Sequence, residues 1–117
     1  MAIKTKDVEV PKTVVLSWEG TDYTIEYDRD SVSRIERGFG VTVEDIQKGS
    51  ITAFQSIFFG GFFKHHPNIK KSTLEQLYDA TPDKMELFKV LVEMYMENVN
   101  SLIDEPAEGK ALSWSVR

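Results

Sequence analysis

Apolar positions along this chain change period twice. From Thr13 to Asp28 they alternate: Val14, Leu16 and Trp18 share one face of TVVLSW (13–18), and Tyr23, Ile25 and Tyr27 share one face of YTIEYD (23–28). Both runs are rich in β-branched and aromatic residues and flank EGTD, which predicts a β-hairpin over 13–28. Thr24, Glu26 and Asp28 then face water. Asp30 is placed to cap a short helix over 30–37, with Val32 and Ile35 inward, Gly38 as the terminal glycine and Phe39 packing behind it. VTVEDIQKGS (41–50) reads as a β-like VTV followed by one more helical turn.

The period then becomes helical. A helix over 50–65 places Ile51, Phe54, Phe58, Phe62 and His65 on one stripe, with Phe59 and Phe63 on one flank and Ile57 on the other. Its remaining sector holds Ala53, Ser56, Gly60 and Lys64, small enough apart from the lysine for another backbone to approach. Gly61 lies nearer the aromatic side, where it can admit a large neighbouring side chain. Each interior glycine costs a helix about 1 kcal/mol, which close packing or a local break must offset.

Pro67 ends that helix. Ser72 and Glu75 form a capping-box pattern for a helix over 72–80 carrying Leu74, Leu77 and Tyr78. Thr81, with Pro82 after it, is placed to cap the longest helix, over 82–104. Met85, Phe88, Leu91, Val92, Tyr95, Met96, Val99, Leu102 and Ile103 make its broad stripe. Leu87, Val90 and Met94 lie opposite, and a second apolar face asks for a second neighbour. The expected architecture is a single α+β domain over 13–104: an N-terminal hairpin followed by a mainly helical bundle of about four helices. A flexible arm (1–12) precedes it, and an acidic, flexible tail (105–117) follows. In that tail Leu112, Trp114 and Val116 alternate as a docking strand would.

Composition narrows the function classes. The chain has 117 residues, 41% hydrophobic and 28% charged, enough for one core. A net charge of -5 argues against nucleic acid as a partner. Cysteine is absent, which excludes disulfides, thiolate nucleophiles and Cys-based zinc sites. MAIKTKDVEV has no apolar stretch of signal-peptide type, and the apolar run 51–63 is shorter than the about 20 residues that span a bilayer. A soluble protein without a membrane role is expected.

Candidate chemistry is sparse. His65-His66 is the most suggestive pair, yet adjacent helical residues point about 100° apart, whereas metal-binding pairs on a helix favour i, i+4. Histidines near a helix C-terminus also interact favourably with its dipole. FGGFF lacks the Lys-Ser/Thr of a phosphate loop, and no G-x-S-x-G surrounds a serine. These patterns lead to the expectation of no catalytic residues, no cofactor and no metal. The residues singled out as a protein-binding surface are Phe59, Phe63, Leu87, Val90, Met94 and Trp114.

Three stretches together resemble the tail assembly chaperones of long-tailed bacteriophages and prophages of Gram-positive bacteria. They are YTIEYDRDSVSRIERGF (23–39), FGGFFKHH (59–66) and LEQLYDATPDKMELFKVLVEMYMENVNSLI (74–103), the last followed by an acidic tail with a late Trp. The similarity spans about residues 14–116. The chain departs from the pattern in its longer charged arm and in residues 41–50. The resemblance implies a non-enzymatic role in the host bacterial cytoplasm. The chain would bind the tape measure protein, help recruit tail tube subunits, and be absent from the mature virion. A second copy of the chain is a further expected partner. The rival readings are a structural virion protein, such as a head-tail connector or tail component, and a small metal-dependent enzyme using His65 and His66.

Overall fold

Glu19 and Gly20 both take positive φ, 49° and 81°. The chain therefore reverses in two residues, with the backbone twist that suits a tight hairpin. In the computed structural model, which describes residues 10–117, strand β1 (Thr13–Trp18) pairs antiparallel with β2 (Thr21–Glu26), with Val14 opposite Ile25 and Leu16 opposite Tyr23. Of the arm expected over 1–12, residues 1–9 lie outside the described residues, and Val10 packs against the core.

Helix α1 spans Arg29–Phe39 and is capped by Asp28, not Asp30. The Asp28 carboxylate accepts from the Ser31 N–H at 2.8 Å, and the Ser31 hydroxyl accepts from the Asp28 N–H at 3.0 Å. The two bonds together satisfy otherwise orphaned helix-start donors. At the far end Gly40, at φ 69°, closes the helix instead of Gly38. Its left-handed conformation turns the chain out of the helix, and glycine adopts it without strain.

VTV is not a strand. Thr42 and Asp45 form a second capping box, which starts α2 (Val43–Gln47) and draws Val43 into the helix. This short element raises the described helices to five, α3 (Ile51–Gly60), α4 (Lys71–Ala80) and α5 (Lys84–Ile103) being the others.

Helix α3 stops at Gly60, with turns over 61–65, so the expected helix over 50–65 is broken where the two glycines stand. α4 begins at Lys71 without a side-chain cap, so Ser72 and Glu75 do not form the expected box. Thr81 closes α4 rather than opening α5: its hydroxyl donates to the Leu77 carbonyl at 2.7 Å. Pro82 precedes the helix, and α5 starts after Asp83, which takes a left-handed conformation. Residues 104–117 form no strand, and all of them are exposed.

Helices α1, α3 and α5 pack on one another. Ile35, Ile57, Phe58, Phe62, Leu91 and Tyr95 fill the space between them, and Ile25 and Tyr27 enter from the hairpin side. Tyr27 ties three elements together. Its hydroxyl donates to the Ile57 carbonyl at 2.6 Å, its ring meets Tyr95 edge-on at 5.7 Å, and its carbonyl accepts from Asn98 at 3.1 Å.

Candidate functional site

The stretch FGGFFKHH (59–66) is where the structure concentrates polar and close-packed contacts. The glycines come first. A Cβ at Gly60 would overlap the Ile35 side chain, and one at Gly61 would stand 2.5 Å from Ile25 Cγ2 and 2.8 Å from Tyr27 Oη. Gly61 admits large neighbours, as its position in the sequence implied. The small face of Ala53, Ser56 and Gly60 is also buried, so it serves this chain's own core and not an external backbone.

Beyond the glycines the chain runs along β2. The Glu26 N–H donates to the Gly61 carbonyl at 3.0 Å, and the Thr24 N–H donates to His66 Nε2 at 2.9 Å. Alternate residues of β2 thus turn their outward donors to this segment, as a third strand would receive them. The His66 ring nitrogen that accepts here carries no proton, so the proton of the neutral ring sits on Nδ1. The ring also packs on Tyr23 and Phe62, at centroid distances of 5.4 and 6.4 Å.

Glu26 is the charged centre of the cluster. Its side chain was expected to face water, yet Glu26 is only 6% exposed, because residues 61–66 cover that side of the hairpin. Lys64 Nζ lies 2.8 Å from one carboxylate oxygen and His65 Nε2 lies 2.8 Å from the other. Lys64 also reaches Asp28 at 3.5 Å. The hydrogen bond from Lys64, then that from His65, holds the Glu26 carboxyl below its ordinary range against the opposing effect of burial. Glu26 in turn raises the Lys64 ammonium. For Asp28, burial pushes upward but is outweighed by hydrogen bonds from Ser31, and the carboxyl lies below its ordinary range. Burial raises Tyr27 well above its usual value and pushes Tyr95 up to about 12.

Both histidines therefore use Nε2 on protein partners. Among the described residues, no group of three or more His, Asp or Glu is placed to hold a metal ion. No helix among them is long and apolar enough to cross a membrane.

The six residues expected to bind a partner are spread over the molecule. Phe59 and Phe63 are half-buried against the core, and Phe59 packs edge-on against Phe58 and Tyr78. Leu87 and Val90 are likewise half-buried. Met94 is 3% exposed, so in this structure it faces the core and not a partner; it shares α5 with the inward Leu91 and Tyr95. Trp114, by contrast, is 80% exposed in the tail.

Other apolar side chains stand in water. Ile51 and Met85 were assigned to core stripes, yet both are more than half exposed. Each lies three residues before a member of the Phe54–Phe88 ring pair, whose centroids are 5.2 Å apart. They belong to the first turns of α3 and α5, where the stripes run past the core. Position in a first turn is the sequence signal that separates them from Phe54 and Phe88. Leu102 and Ile103 are exposed at the other end of α5 for the same reason. A helix of 20 residues is about 30 Å long and outruns the elements it packs on.

The geometry defines a small α+β domain whose polar cluster fastens its own hairpin and whose apolar surplus lies at helix ends and in the tail. The chain belongs to the family described as a domain of unknown function (DUF5055), whose profile matches residues 10–117. No curated protein and no solved structure matches it.

Proposed function

We propose that this chain is a non-enzymatic tail assembly chaperone of a long-tailed bacteriophage or prophage. It binds helices of the tape measure protein in the bacterial cytoplasm, helps recruit tail tube subunits, and leaves before the virion is complete. The observation that carries the reading is the exposure of Ile51 and Met85 beside the Phe54–Phe88 pair, where α3 and α5 meet. Methionine and aromatic side chains at such a site adapt to the apolar face of many amphipathic helices. The resemblance of residues 23–39, 59–66 and 74–103 to that family supports the same reading, and the half-buried Phe59, Phe63, Leu87 and Val90 extend the apolar surface available.

The test is co-purification of the chain with tape measure segments. Ile51→Asp combined with Met85→Asp abolishes it while circular dichroism stays unchanged. Undiminished binding by a folded double variant would overturn the choice of surface. Mass spectrometry of purified virions separates a chaperone, which is absent, from a structural virion protein, which is present.

A further inference from the structure

The hairpin has two edges, and only one is covered among the described residues. Thr24 and Glu26 of β2 turn their N–H groups outward to His66 and Gly61. Because ladder bonds alternate along an antiparallel pair, Tyr23 and Ile25 bond inward, and so do their partners Leu16 and Val14. The backbone groups of Val15 and Ser17 therefore point away from β2. Among the described residues no backbone group bonds to them. An open edge of this kind is a template for another strand.

A cavity of about 240 Å³ runs beside that edge, lined by Val15–Trp18 on one side and by Leu77 and Ala80–Pro82 on the other. Its lining takes consecutive residues of β1, so it follows the edge and not a single face. Its apolar walls fit a large side chain.

The same chain carries a segment of matching form. In residues 110–116, Leu112, Trp114 and Val116 alternate with Ser113 and Ser115, and all are exposed. A turn just before the segment, in which the Lys110 N–H donates to the Ala107 carbonyl, leads into it, and residues 110–116 themselves form no helix or strand. Charge complements shape. Residues 110–117 hold Lys110 and Arg117 and no acid, a charge of +2; the whole chain carries -5, so the remainder carries -7. Glu19, Asp79 and Asp83 stand next in sequence to the lining residues Trp18, Ala80 and Pro82.

We propose that residues 110–116 of one copy add as a strand to the open edge of β1 in a second copy, with Trp114 seated in the cavity between β1 and α4. Main-chain bonds to Val15 and Ser17 supply the register, and the aromatic anchor supplies most of the affinity. A second copy is the favoured source of the strand because of where the tail departs. Asn98 and Ser101 tie the end of α5 to Tyr27 and Arg29, whereas the cavity abuts Thr81 and Pro82 just before its start. An intramolecular return has to run back along a helix about 30 Å long. The proposal stands whether or not the chain binds tape measure helices.

Sedimentation velocity over a concentration series tests it on the full chain. The wild type associates as concentration rises. Trp114→Ala, in an exposed tail where it does not threaten the fold, weakens association roughly thirtyfold. Val15→Pro removes an outward N–H that the β1–β2 ladder does not use, and weakens it likewise. Mixing the two variants restores a 1:1 dimer, because one retains the tail and the other the edge. A wild type that stays monomeric throughout, or a Trp114→Ala variant that associates like the wild type, overturns the proposal. So does a mixture of folded variants that fails to dimerise.

Discussion

The imidazole of His66 accepts the backbone N–H of Thr24 at 2.9 Å, although 42 residues separate the two in sequence. A side chain thus does for β2 what a neighbouring strand's carbonyl usually does. A two-stranded hairpin is marginal by itself. Here residues 61–66 supply the missing edge and join the hairpin to the helices.

Replacing His66 tests that role. His66→Ala leaves a partly buried N–H without its acceptor and removes ring contacts with Tyr23 and Phe62. The expected cost is about 1–3 kcal/mol, read from urea unfolding with an unchanged m-value. Backbone amide exchange at Thr24 should accelerate more than that at Ile25, which lies in the ladder.

The glycines give a test by contrast. Gly60→Ala and Gly61→Ala place a methyl group against Ile35, or against Ile25 and Tyr27, and each should destabilise by about 1–3 kcal/mol. Gly38→Ala adds the same methyl group near the end of α1, where nothing lies within 4 Å. There the gain in helix propensity prevails, and stability rises by about 0.5–1 kcal/mol. Thermal melts of the three variants should therefore shift in opposite directions.

Capping makes a third prediction. Asp28→Ala removes the acceptor for the Ser31 N–H and should cost about 1 kcal/mol. Asp30→Ala and Ser72→Ala, at positions that look like caps in the sequence but cap nothing in the structure, should each change stability by less than about 0.5 kcal/mol.

Stability should fall at both ends of the pH scale. The folded state holds Glu26 below its ordinary 4.5, so the unfolded chain takes up the proton first on acidification. That contribution is complete above pH 4.5 and is lost as pH falls through the depressed value. Lys64 is raised above 10.5, and Tyr27 and Tyr95 are raised above 10.0. Their contributions are complete below those ordinary values and are lost as pH rises through the raised ones. Urea midpoints should drop as pH falls below about 4.5 and again as it rises above about 10. Glu26→Gln should lower stability at neutral pH by about 1–3 kcal/mol and flatten the acid limb. An acid limb as steep as that of the wild type would place the titrating group elsewhere.

Much of this fold is legible in local chemistry, and the rest depends on contacts far apart in the chain. Alternation in 13–18 and 23–28 was enough for the hairpin, because side chains of a strand switch faces at every residue. Helical periodicity was enough for α4 and α5, and the short reach of Phe54, Phe58 and Phe62 to one stripe put two of the three fully inside. Which of several eligible residues capped a helix was decided by the chain's entry path. Asp28 prevailed over Asp30 because β2 delivers the chain to α1 at that point, and Thr81 was drawn to the end of α4. Glu26 looked solvent-facing because nothing in 23–28 reveals that residues 61–66 will lie over it. The same covering decided the histidines. Adjacent in sequence, they looked like a weak metal pair; in the fold, one grips a carboxylate and the other a backbone N–H, since only tertiary packing brings β2 within their reach.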